Sequence, residues 1–125
     1  MSVAHRYLSV DLIKRTLYIE VMDKFFALAA PIRREIIAIL SDGDQLTATM
    51  IAEKFQLTPA AISQHLKVLR SSNLVRMHKD AQKRIYELNP LGIAELEAWA
   101  SQIATQLNRA NPIPKVTPPD NEEVA

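Results

Sequence analysis

The sequence predicts a mainly α-helical fold carrying one small β-hairpin, and three observations predict it. Apolar residues recur at helical spacing along most of the chain, three prolines stand where helical segments open, and the period switches to two in a single stretch after Leu74. With 125 residues, 48% hydrophobic and 23% charged, the composition is that of one globular domain rather than two ordinary ones or a disordered polymer.

From Tyr7 to Leu28, the residues Leu8, Leu12, Ile13, Leu17, Val21, Phe25 and Leu28 predict one long helix, or two broken near Met22. Pro31 opens the next, with Ile32, Ile36, Ile37 and Leu40 on one face and Gly43 just past its end, where a left-handed cap is often needed. A short helix over Thr47 to Phe55 is expected to bury Met50, Ile51 and Phe55. Thr58 then caps a helix opened by Pro59, with Ile62, Leu66 and Leu69 at i, i+4 and i+7. Two alternating runs, Val75 to Lys79 and Arg84 to Leu88, flank a polar break and predict a hairpin with exposed basic residues. Asn89 and Pro90 start a last helix with Leu96, Trp99, Ile103 and Leu107 on one stripe. Pro112, Pro114, Pro118 and Pro119 crowd a segment without apolar period, so residues 1–110 are expected to form the domain and Asn111 to Ala125 a disordered acidic tail.

Several function classes drop out. No cysteine occurs, which removes disulfides, thiolate metal sites and a cysteine nucleophile. Met1 to Ser9 lacks the form of a signal peptide, and charged residues interrupt every apolar stretch that approaches the roughly 18 residues needed to span a bilayer. A cytoplasmic protein with no membrane partner is expected. The two glycines are too far apart for a phosphate-cradling loop, and no nucleophile, base and acid set falls in one segment, so no enzyme and no cofactor are expected.

The two short helices joined by Gln56 and Leu57 have the layout of a helix-turn-helix, whose second helix enters the major groove of DNA. Opposite the apolar centre of that helix lie Ala60, Gln64 and Lys67, flanked by Ser63. Gln can pair with adenine, Ser can contact several bases and Ala can meet a thymine methyl, so Ala60, Ser63 and Gln64 are candidate base readers. Thr58 to Tyr86 holds six basic residues, Lys67, Arg70, Arg76, Lys79, Lys83 and Arg84, against Asp80 alone. That segment therefore carries +5 although the whole chain carries only +1, and these six residues with Thr58 are candidate phosphate contacts. A basic hairpin after a helix-turn-helix is a winged helix.

The runs LAAPIRREIIAIL, LTPAAISQHLKVLRSSNLV and KRIYELNPLGIAELEAW resemble the ArsR family of bacterial winged-helix repressors, especially autorepressor-like members without a metal site. The resemblance covers about Phe25 to Leu107. It implies a homodimer that pairs through its first and last helices and sits on a pseudo-palindromic operator in double-stranded DNA, repressing its own or a neighbouring promoter. Leu12, Leu17, Leu96, Trp99, Ile103 and Leu107 are the candidate dimer residues. It also implies base-facing positions at Ala60, Ser63 and Gln64, in agreement with the helical wheel.

Three departures limit what carries over. Thr47 and Thr49 stand where metal-sensing relatives carry thiolates, and the last helix has no His, so no metal is expected and the small-molecule effector stays unidentified. Ala81 stands where the wing turn usually has Gly; a turn needing φ > 0 resists Ala, so a wing tip of different shape is expected.

Each candidate has a plainer reading. His65 lies at the edge of the buried arc and is expected to play a structural hydrogen-bonding role; His5 and His78 have no partners at metal-ligand spacing. The Trp99 stripe reads as core or dimer packing before it reads as an effector pocket. The alternative for the whole chain is a winged helix that binds another protein, against which the basic segment argues.

Overall fold

A computed structural model of the protein describes residues 23–112 and 114–118. The elements follow in the predicted order: helix α1, described over 23–28, then α2 (Pro31–Leu40), α3 (Ala48–Phe55), α4 (Pro59–Ser71), strands β1 (Val75–Asp80) and β2 (Lys83–Leu88), and α5 (Pro90–Ala110). His5, Leu12 and Leu17 lie outside the described residues, as does the end of the expected tail. Residues 111, 112 and 114–118 are exposed and belong to no helix or strand.

Pro31, Pro59 and Pro90 each occupy the first position of a helix, where a missing N–H breaks no bond. Thr58 Oγ1 accepts from the Ala61 N–H at 3.1 Å, and Asn89 Oδ1 accepts from that of Leu91 at 3.1 Å. Thr47 does the same for α3, accepting from Met50 at 3.2 Å. The start of α2 has no side-chain cap and carries Arg33 and Arg34 in its first turn, against the positive end of the helix dipole. They serve the end of α1 instead. Arg34 Nη1 donates to the Leu28 carbonyl at 2.6 Å, and Arg33 donates to the carbonyls of Phe26 and Ala27, satisfying acceptors that a helix C-terminus leaves free.

Ile36, Leu40, Ile51, Ile62, Leu66, Leu69 and Leu74 are fully buried and form the core that α2, α3, α4 and the hairpin share. The expectation for α3 needs correcting at Met50, which is 45% exposed, while Phe55 is only partly buried. Ile51 and Ala52 fill the buried arc of this two-turn helix, so Met50 falls beside the wing.

The hairpin is antiparallel, with Val75 opposite Leu88, Met77 opposite Tyr86, and Lys79 opposite Arg84. Leu46 adds a bridge to the other edge of β2 through two backbone hydrogen bonds with Tyr86, at 3.0 and 2.8 Å. That pairing ties the entry of α3 to the wing. The turn between β1 and β2 has only two residues, and Ala81 takes φ 57°. Ala81 thus adopts the left-handed conformation rather than avoiding it, because closing a two-residue hairpin against the strand twist requires positive φ. Gln56 at the helix-turn-helix corner and Asn73 after α4 are left-handed as well, with φ 55° and 60°.

Gly92 permits a close approach. A Cβ there would lie 1.9 Å from the Asn73 carbonyl oxygen, so the first turn of α5 sits against the α4–β1 corner only because no side chain intervenes. Farther along, α5 meets α1: buried Lys24 pairs with Glu95 at 2.8 Å, and the Phe25 and Trp99 rings pack edge to face at 4.8 Å.

Candidate nucleic-acid interface

Ile62, Leu66 and Leu69 turn one side of α4 into the core, so the other side is presented outward by helical geometry alone. Ala60, Ser63, Gln64 and Lys67 occupy that side and are all exposed. The left-handed Gln56 redirects the chain within the three residues between α3 and α4, which lets α3 brace the inner side of α4 while Ala60, Ser63 and Gln64 stay exposed.

His65 is half-buried between the two faces. Arg33 Nη1 lies 3.5 Å from its Nδ1, and because a guanidinium only donates, that ring nitrogen is the acceptor. Arg33 therefore links the end of α1 to the helix that carries Ser63 and Gln64, an arrangement that no periodicity in the sequence signals.

One face of the hairpin grades from apolar to basic: Val75 and Leu88 at its base, Met77 and Tyr86 in the middle, Lys79 and Arg84 near the tip. The basic end is thus held by the same face that anchors in the core. Lys83 and Arg84 line a groove of about 500 Å³ together with Ser63 of α4 and Thr47, Thr49 and Met50 at the start of α3. The structure so joins one candidate base reader and two candidate phosphate contacts.

The other candidates are placed differently. Lys67 lines a separate cavity of about 300 Å³ with Asp23, Phe26 and Ser71. Arg70 is exposed on the last turn of α4, and the Thr58 hydroxyl oxygen is engaged in capping. Arg76 stands apart. Its Nε binds Glu87 Oε1 at 2.8 Å, and it lines a cavity on the α5 side with Glu97, away from the groove beside Ser63. Glu87 also accepts from Gln45 at 3.1 Å and lies 3.9 Å from His78, so the Arg76 charge is balanced within the protein. Among the described residues, no three His, Asp or Glu side chains gather as a metal site. No described helix is long and apolar enough to cross a membrane.

On α5, Leu96 packs partly against the core, but Trp99, Ile103 and Leu107 remain 40%, 39% and 57% exposed. Of these, Trp99 packs its ring edge to face against Phe25 of α1.

Comparison with known proteins decides the family. The profile described as bacterial regulatory protein, arsR family, matches residues 30–77. The transcriptional repressor SdpR of Bacillus subtilis is 35% identical over 75 residues, covering 60% of this chain and 82% of that protein. The chain belongs to the ArsR family. This ArsR-family regulator is also 39% identical over 62 residues to the arsenical resistance operon repressor of Staphylococcus xylosus, covering 50% of this chain and 59% of that one. Among solved structures, a possible transcriptional regulator for arsenical resistance superposes with a TM-score of 0.59 at 35% identity, over 70% of this chain and 92% of that one. The homodimeric winged helix-turn-helix DNA-binding domain of a possible ArsR-family regulator from Mycobacterium bovis shares the fold, with a TM-score of 0.61 at 22% identity over 82% and 94% of the two chains. The winged helix-turn-helix of the ArsR-family regulator described here is therefore α3, α4 and the β1–β2 hairpin. Thr47 serves it as the cap of α3.

Proposed function

We propose that this regulator is a homodimeric, sequence-specific DNA-binding repressor of its own or a neighbouring promoter, acting in the cytoplasm. Ala60, Ser63 and Gln64 read base edges in the major groove, and Lys67, Arg70, Lys79, Lys83 and Arg84, with Thr58, hold the backbone. Arg76, paired with Glu87, is left out of that set. Trp99, Ile103 and Leu107 pair with a second copy, together with Leu96 and, outside the described residues, Leu12 and Leu17. Two recognition helices then meet half-sites of a pseudo-palindrome about one helical turn apart.

The observation that carries this reading is the groove in which Ser63 of the outward face of α4 meets the wing cations Lys83 and Arg84. A small polar side chain on the outward face of α4 beside exposed cations suits a duplex, where bases and phosphates are presented together. The +5 carried by Thr58 to Tyr86 argues against a partner protein, because the centres of protein interfaces are depleted of charge.

Equilibrium binding to the region upstream of its own gene, followed against salt, tests it. Several phosphate contacts per dimer predict a steep fall of log affinity with log salt and a clear preference over random duplex. A slope near zero, or equal affinity for both duplexes, would reject the reading.

A further inference from the structure

The end of α1 faces two ways. Lys24 and Phe25 engage α5, through Glu95 at 2.8 Å and the Trp99 ring at 4.8 Å. The next two residues present their carbonyls to Arg33 of α2: that of Phe26 accepts from Nη2 at 3.2 Å, and that of Ala27 accepts from Nε. The same guanidinium lies 5.7 Å from the centre of the Phe26 ring, and its remaining nitrogen, Nη1, stands 3.5 Å from His65 Nδ1. All three nitrogens of one planar group are thereby committed, two to the helix that meets α5 and one to α4. Beside this link opens the cavity of about 300 Å³ lined by Asp23 and Phe26 of α1 and by Lys67, Val68, Ser71 and Ser72 at the end of α4. Close packing therefore does not set the separation of the two helices there, and the Arg33 bridge does.

We propose that Arg33 is a positioning residue for operator recognition: through His65 it fixes α4 against the end of α1, and so fixes the distance between the two recognition helices of a dimer. That distance decides which half-site spacing the protein accepts. His65 directly follows Gln64, so the bridge acts within one residue of the base-reading side of α4. Inserting one base pair moves one half-site by about 3.4 Å and turns it by about 35° relative to the other, and a recognition helix held from behind cannot follow. The inference rests on the reading of a dimer on two half-sites and deepens it: Ser63 and Gln64 read each half-site, while Arg33, itself making no base contact, selects the spacing between them.

Anisotropy with the full-length protein tests this on three duplexes: its own upstream region, the same region with one base pair inserted midway between the half-sites, and a random sequence. The parent protein is expected to bind the inserted duplex about tenfold or more weaker than the upstream one. His65→Leu leaves the bonds from Arg33 to the α1 carbonyls in place; it is expected to cut that ratio at least about threefold and to leave affinity for the random duplex unchanged. His65→Asn, whose Oδ1 can accept in place of Nδ1, should restore the parent ratio. Arg33→Met keeps the aliphatic stem and should cut the ratio as well, and adding His65→Leu to it should cut the ratio no further, because the two residues share one link. An unchanged ratio in His65→Leu, or effects that add in the double variant, would overturn the proposal and leave the DNA-binding reading standing. Equal weakening of His65→Leu on all three duplexes would overturn it as well, since that reports a general loss rather than a change in spacing. A parent protein that does not distinguish the upstream duplex from the random one would reject the DNA-binding reading itself, and one that binds both upstream duplexes equally would reject the two-half-site reading; either result takes the proposal with it.

Discussion

Gly92 and Lys24 show how single residues decide the packing of the last helix. A methyl group at Gly92 would meet backbone rather than a movable side chain, so the α4–β1 corner and α5 must separate to admit it. Gly92→Ala is expected to destabilise the protein by about 1–3 kcal/mol, read as a lower denaturant midpoint; an unchanged midpoint would count against the close approach. Lys24 is 1% exposed and its partner Glu95 is about half exposed, so the two halves of the pair are not equivalent. Glu95→Ala leaves a buried ammonium without its carboxylate and is expected to cost about 2 kcal/mol, reduced by solvent near Glu95 from the larger penalty of a fully buried pair. Lys24→Met keeps the aliphatic packing and leaves only a solvated carboxylate, so it is expected to cost less than about 1 kcal/mol. Urea unfolding of the two variants, compared side by side, checks the order.

Among the elements, helix starts and buried faces were the most legible. Pro59 after Thr58 fixes where α4 begins, and the spacing of Ile62, Leu66 and Leu69 fixes which side is buried. The outward positions of Ala60, Ser63 and Gln64 follow from these without further information. Thr58→Ala removes the cap and is expected to lower stability by about 1 kcal/mol, measured by thermal unfolding. The wing turn was less legible. Ala81 gives no local sign of positive φ; hairpin closure between Asp80 and Lys83 imposes it. Ala81→Gly is therefore expected to raise stability by about 0.5–1 kcal/mol, the left-handed strain relieved less the added unfolded-state entropy. A lower melting temperature for this variant would show that the turn is not strained. Met50 escaped the sequence because a two-turn helix has too few residues to separate its buried arc from its flank.

At the scale of the molecule, the near-neutral chain hides a sorted surface: +5 over Thr58 to Tyr86 and an acidic balance elsewhere. The partly exposed stripe of Trp99, Ile103 and Leu107 is read as the seam with a second copy. Ile103→Glu is then expected to shift the protein toward monomer in sedimentation and to weaken binding to a two-half-site duplex by at least about tenfold, because the second half-site contact no longer comes tethered to the first. A dimer that persists would reject that placement of the seam.

The sequence by itself determined the order of the elements, the starts of three helices, the buried side of α4 and the basic character of the wing, because each follows from local period, capping or charge. Only the tertiary structure decided which of the basic residues share a groove with Ser63, that Arg76 is balanced by Glu87, that Arg33 reaches from the end of α1 to His65, and that Thr49 and Met50 stand beside the wing. Those relations join residues far apart in the chain. A helical or strand period states which way a side chain points and says nothing of what another element brings to meet it.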